Sequence, residues 1–228
     1  MTIKAHVAAT VIAAATFASP LAAQERAGRA TAVQPDAFQA AGIAGLPVGK
    51  NDAILRQARV YTKQHGTIDI RLEDGTNLTV APNASLVIDD YVFAGPQRAG
   101  TLALSLSRGA VRMVSGRMPK DGVAITTPVA TIGVRGTDFW VNAANADLIE
   151  LWVTEGVVTA APTQSDAVFE FPAPAYATCS VSGCQTGDAP PVPVTNPLGG
   201  AGGGGGDPGI DVDYDRGDDH DDGLSDNG

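Results

Sequence analysis

From Ile68 to Val158 apolar residues tend to return at every second position, and that period constrains the fold more than any other property of the chain. Ile68, Ile70 and Leu72 alternate with Asp69 and Arg71, and Leu78 and Val80 follow. Leu102, Leu104 and Leu106 alternate with Ala103 and Ser105, and the pairs Val111/Met113 and Val123/Ile125 continue the pattern. A period of two places one apolar row on the buried face of a strand. Turn formers separate the rows: Asp74-Gly75, Pro82-Asn83, Gly95-Pro96, Arg108-Gly109, Lys120-Asp121-Gly122 and Glu155-Gly156. The expectation is an all-β domain of short antiparallel strands, about five residues each, joined as hairpins in a rolled, solenoid-like or sandwich arrangement. A loose echo of a polar residue and glycine before a small or β-branched pair, at Gly66, Gly109 and Gly156, suggests related hairpin units.

The ends of the chain differ from this core. Met1 to Ala23 has the make-up of a secretory signal, with Lys4, an Ala-rich apolar run from Val7 to Ala18, and small residues before Gln24. A retained membrane anchor needs about 20 strongly apolar residues, and this run is shorter and mostly alanine. The expected mature protein is periplasmic or secreted, with no stable membrane anchor after cleavage. Residues 24–51 are small, polar and rich in Ala and Gly, which predicts a loosely structured lead-in, and Asp52 to Val60 suits a helical turn or two. The β domain is expected over 52–185, with Pro162, Pro172 and Pro174 confined to edges or surface because proline cannot donate to a ladder. A Pro/Gly-rich linker follows over 186–206, and an acidic tail predicted to be disordered over 207–228.

Charge narrows the partners. Of the formal net charge of −10, residues 207–228 contribute nine Asp against one Arg. That leaves the folded part nearly neutral, without the basic patch that a phosphate backbone requires, so nucleic acid is not an expected partner. Cys179 and Cys184 are the only cysteines, and in an exported chain a local disulfide is the favoured pairing over a zinc site, which would need further ligands. In the tail, Asp211, Asp213, Asp215, Asp219 and Asp222 fall at relative positions 1, 3, 5, 9 and 12, the oxygen spacing of a calcium-binding loop. Gly217 stands one place late, and Asp222 replaces the longer Glu, so weakly bound calcium is the most these residues predict. No cofactor is expected. His65, Asp89-Asp90 and Asp69/Glu73/Asp74 are the candidates for acid–base work, with solvated strand ends and a surface turn as the alternative, and no nucleophile elbow or phosphate loop occurs.

The segment Thr126–Val141, TTPVATIGVRGTDFWV, carries the most specific order of residues. Thr127-Pro128 is expected to close one strand, and Gly133 and Gly136 to let the backbone turn or approach a neighbour around Arg135. From Thr137 a strand resumes with Phe139 and Val141 on one face. Arg135 is expected to pair with Asp138 or to satisfy backbone carbonyls. Together with Leu72–Val80, Leu102–Val114 and Asp147–Val158, this segment resembles the FecR domain family over about residues 60–160. The best-known members of that family are inner-membrane proteins that contact a sigma factor on one side and receive an outer-membrane signal on the other. With six residues before the apolar run, no cytoplasmic arm is expected here. The resemblance implies an exported, non-enzymatic binding or scaffold module that recognises an envelope protein or glycan. The alternatives are a regulator of sigma-factor envelope signalling and a calcium-dependent surface or matrix protein.

Overall fold

The alternation becomes strand in the computed structural model, which describes residues 25–188 apart from 96, 97, 99, 120 and 144. Fifteen strands form one all-β sheet, and no helix occurs among the described residues. The expected signal segment and acidic tail, with its five candidate calcium ligands, lie outside the described residues.

Three strands organise the rest. β9 (Thr101–Val114), β11 (Ala130–Ala143) and β12 (Ile149–Pro162) are each 14 residues long, well beyond the expected five. Each carries a glycine near its middle at positive φ: Gly109 (76°), Gly136 (59°) and Gly156 (79°). Arg108-Gly109 and Glu155-Gly156 are therefore bends inside continuous strands, not turns between short ones. Glycine enters that region at little cost, whereas a β-carbon would strain it. On β12 the requirement is doubled, because a Cβ at Gly156 would overlap the carbonyl oxygen of Gly136.

The bends divide the sheet into two layers. The first half of β9 pairs with β8 (Ser85–Val92) and, in parallel, with β10 (Val123–Thr126), so the ladder is not wholly antiparallel as expected. Its second half pairs with β7 (Asn77–Val80) and β11. β6 (Ile68–Leu72), β1 (Arg26–Val33) and β4 (Ala53–Leu55) extend that second layer beyond β7. β5 (Arg59–Thr62), β2 (Ala37–Ala40) and β3 (Leu46–Pro47) extend the first beyond β8. At the other end β13 (Phe169–Pro172) and β14 (Ala175–Ser180) pair with the two halves of β12, and β15 (Gly183–Thr186) pairs with β14. Pro172 and Pro174 are exposed and Pro162 ends β12. The disulfide Cys179–Cys184 joins directly opposed residues of β14 and β15.

One apolar cluster fills the space between the layers, drawing Ile68, Leu78, Phe139 and Leu151 from one and Val60, Leu86, Ile125 and Ile132 from the other. At about 25 cal/mol per Å² of apolar surface removed from water, such a core is the main force holding the layers together.

Residues 24–51 depart from the expected loose lead-in. β1 is inserted between β4 and β6, with Ala27 and Ala30 fully buried. At Gly28 the backbone runs tight against the adjoining strand of the same layer: a Cβ there would stand 2.6 Å from the carbonyl oxygen of Arg71 on β6. Alanine and glycine leave little hydrophobic signal to read. Asp52–Val60 is likewise not helical; Ile54 and Val60 enter the core from two strands, β4 and β5, with Gln57 at positive φ in the turn between them.

Candidate functional site

Thr126–Val141 is a device for turning and joining strands. Thr127 closes the β10–β11 turn, its hydroxyl donating to the Ala130 carbonyl (2.7 Å) and accepting from the Ala130 N–H (3.0 Å), with Pro128 exposed at the tip. Gly133 leaves room for Thr159 on β12, whose hydroxyl would lie 2.5 Å from a Cβ. Beyond the bulge at Gly136, the Thr137 N–H donates to Ser115 Oγ (3.0 Å), and Phe139 and Val141 enter the core on one face as expected. The expected Arg135–Asp138 pair does not form. Arg135 is exposed near Asp121, 3.7 Å away, because the bulge turns it from Asp138. Asp138 instead takes a two-pronged pair from Arg112 of β9, at 2.9 and 2.6 Å. A fork of this kind fixes the register of β9 against β11 more firmly than a single contact would.

The carboxylates singled out as acid–base candidates are scattered among structural roles. Asp69 accepts from Thr79 (2.6 Å), Glu73 pairs with Arg26 (3.1 Å), and Asp89 accepts from Ser105 (2.6 Å). Burial raises the Asp69 carboxyl above its usual range, against the lowering pull of the Thr79 hydrogen bond and the Arg112 charge. Asp90 lies 3.7 Å from Arg56, and His65 is exposed. Asp74 is fully buried: Thr76 Oγ1 donates to one carboxylate oxygen (2.6 Å), and the Thr76 N–H and the Tyr91 hydroxyl donate to the other (3.2 Å each). The Tyr91 hydroxyl in turn accepts from the Asp74 N–H at 2.7 Å. Tyr91 belongs to β8 and Asp74 to the β6–β7 turn, so this network ties one layer to the other. No group of three or more metal-binding side chains occurs among the described residues.

The surface with the features of a recognition site lies elsewhere, on residues 37–63. Phe38 of β2 and Tyr61 of β5 are directly opposed in register and stack at 5.3 Å with their planes 16° apart. Lys63 lies 4.9 Å from the Phe38 ring centre, and Arg59 4.8 Å from that of Tyr61. The result is a polar-edged aromatic platform with a cation at each end, in the distance range where ring and cation attract. Beside it the β2–β3 hairpin projects Ile43 wholly into solvent and leaves Leu46 71% exposed. Behind the hairpin a groove of about 400 Å³ runs between Leu46, Val48, Asp52 and Leu55. Gln39 floors it. Its Nε2 donates to the Ala53 carbonyl (3.3 Å) and its Oε1 accepts from the Leu55 N–H (2.9 Å), so one carboxamide substitutes for a neighbouring strand along the edge of β4. Sequence reading missed this surface because its first half, Phe38 to Val48, lay in the expected lead-in, and Asp52–Val60 was expected to form a helical turn. The available signal was Arg59-Val60-Tyr61-Thr62-Lys63, whose alternation sets both cations and the tyrosine on one face.

Residues 58–159 match the family model described as "FecR protein". Two crystal structures of a "putative anti-sigma factor" from Parabacteroides distasonis ATCC 8503, at 1.65 and 2.50 Å resolution, are similar to the chain at 15% identity and a TM-score of 0.46. The similarity covers 57% of this chain and 59% of theirs, and at that level it carries no functional argument. No curated protein matches the chain.

Proposed function

We propose that this protein, whose residues 58–159 match the FecR family model, is an exported, non-catalytic recognition module of the bacterial cell envelope that grips a partner protein through the face built by residues 37–63. The observation that carries this reading is the pair of aliphatic side chains, Ile43 and Leu46, held in solvent beside a groove and an aromatic platform. Apolar surface presented this way on a structured hairpin is the usual mark of a protein contact. Cations at the rim supply the polar border that orients a partner.

Photo-crosslinking in cells tests it. A crosslinking side chain at Ile43 should give a discrete adduct that the same group at Val168, exposed on a distant loop, does not. Ile43→Asp or Leu46→Asp should abolish the adduct made from a probe at Gly42 without lowering the melting temperature. An adduct pattern identical at positions 43 and 168 would discard the face. Export is tested separately: intact mass of the native protein should begin at Gln24 or a neighbour.

The family itself favours a second reading, a regulator of sigma-factor envelope signalling. A deletion strain in which sigma-dependent transcripts are unchanged under envelope stress would remove it.

A further inference from the structure

The aromatic platform between β2 and β5 holds two cations whose charge the fold leaves unanswered. Arg59 and Lys63 are both exposed, and neither forms an ion pair among the described residues, whereas Arg26, Arg56, Arg112 and Arg135 each meet a carboxylate. The two are held instead over rings, Arg59 over Tyr61 and Lys63 over Phe38. A guanidinium over a ring loses freedom yet keeps the N–H groups at its edge, the ones that grip a carboxylate with two parallel bonds. The row continues across the sheet, with Tyr61 opposite Ser85 and Ser85 opposite Arg108, which is exposed and likewise without an ion pair among the described residues. Charge is unevenly divided along the chain. Residues 37–63 carry Lys50, Arg56, Arg59 and Lys63 against one carboxylate, Asp52, whose Oδ2 already accepts from the Gly49 N–H at 2.7 Å. From Asp147 to Asp188, on strands at the opposite end of the strand order, every charged side chain is acidic. The positive end is therefore also the end that carries the exposed Ile43 and Leu46.

We infer that this face takes an acidic segment of its partner protein: carboxylates engage Arg59 and Lys63 across the Phe38–Tyr61 pair, and an apolar side chain beside them packs on Ile43 and Leu46. This rests on the reading of residues 37–63 as a protein-recognition face and adds the chemistry of what is recognised. Complementary charge steers the encounter and rejects basic competitors, while the aliphatic contact supplies the dry centre that holds the complex. A phosphorylated or sulfated glycan would answer the cations but leave Ile43 and Leu46 in water, so an acidic peptide fits both halves of the face and a polyanionic glycan only one. Arg59 is the more demanding of the two cations. Held over Tyr61, its fork is already oriented, and lysine in its place would keep the charge without the two-pronged grip.

A crosslinking side chain at Ile43 of the full chain, expressed in cells, is the probe; adduct yield and the sequence of the captured peptide are the readouts. Arg59→Glu together with Lys63→Glu should cut the yield about tenfold or more. Arg59→Lys alone should cut it several-fold, and Arg135→Glu, beside Asp121 and outside the face, should leave it unchanged. The captured peptide should be rich in Asp and Glu. Where the charge-reversed pair lowers the melting temperature, Arg59→Gln with Lys63→Gln takes its place, with a several-fold loss expected. An adduct that survives these double substitutions in folded protein, or a captured peptide without Asp and Glu, overturns the acidic partner while leaving the protein contact standing. An adduct to a glycan or lipid, or to residues 207–228 of the same chain, overturns it as well. Absence of any adduct from Ile43 discards the face itself, and this inference with it.

Discussion

Tyr91→Phe removes one oxygen from the contact between the layers, and the structure sets the size of the loss. The hydroxyl accepts from the Asp74 N–H at 2.7 Å and donates to the Asp74 carboxylate at 3.2 Å, with both residues buried. Phenylalanine fills nearly the same volume, so no cavity is made. What changes is that a buried backbone N–H loses its partner, costing about 1–3 kcal/mol, and a carboxylate loses one of its donors, costing about 1.5–3 kcal/mol when the bond is charge-assisted. Some compensation by the Thr76 N–H and hydroxyl, which already hold the carboxylate at 3.2 and 2.6 Å, brings the sum to about 3 kcal/mol. For a domain of this size that is a drop of about 6–12 °C in melting temperature. Urea unfolding followed by far-UV circular dichroism measures it, with the slope unchanged because the same surface is exposed. Thr76→Val in the same background completes a double-mutant cycle, and the two changes should be coupled by about 1 kcal/mol through the shared carboxylate. A loss under about 0.5 kcal/mol for Tyr91→Phe, or strict additivity with Thr76→Val, would refute the view of Asp74 as the hub that ties the layers.

Other perturbations follow from the same geometry. Burial raises the Tyr91 phenol above the ordinary range of a tyrosine, so the native state favours the protonated form; stability from this group is intact below about pH 10 and is lost as pH rises through its folded value, a decline that Tyr91→Phe should flatten in alkaline melts. The Asp69 carboxyl is also raised, from 3.8, by burial, so its ionised form is disfavoured in the fold; relative to Asp69→Asn, the wild type should gain stability as pH falls from neutral through the folded value, and the reverse trend would contradict the assignment. Gly156→Ala places a Cβ on the Gly136 carbonyl at φ +79° and should cost about 3 kcal/mol or more, whereas Gly75→Ala, at φ +91° with open space around it, should cost about 1–2 kcal/mol. Gln39→Ala should leave the β4 edge groups of Ala53 and Leu55 to water, lowering stability by about 1 kcal/mol and raising amide exchange at Leu55.

The all-β class, the inward rows and the placing of Phe139 and Val141 were legible because burial on one face of a strand writes a two-residue period directly into sequence. The FecR pattern was legible for a related reason: its Thr127, Gly133, Gly136 and Thr137 each meet a local backbone demand. Three things were decided only by tertiary structure. Gly109 and Gly156 look like turn residues in sequence, and only the pairing of both halves of β9 and β12 makes them bends within one strand. Residues 26–47 carry too little apolar volume to announce strands, and the first of them, β1, takes its place from pairing with β4 on one side and β6 on the other. Which arginine meets Asp138 depended on register across strands 26 residues apart, which no local pattern encodes. The same is true of the Phe38–Tyr61 platform: a period of two says which face a side chain takes, and only strand order says what stands beside it.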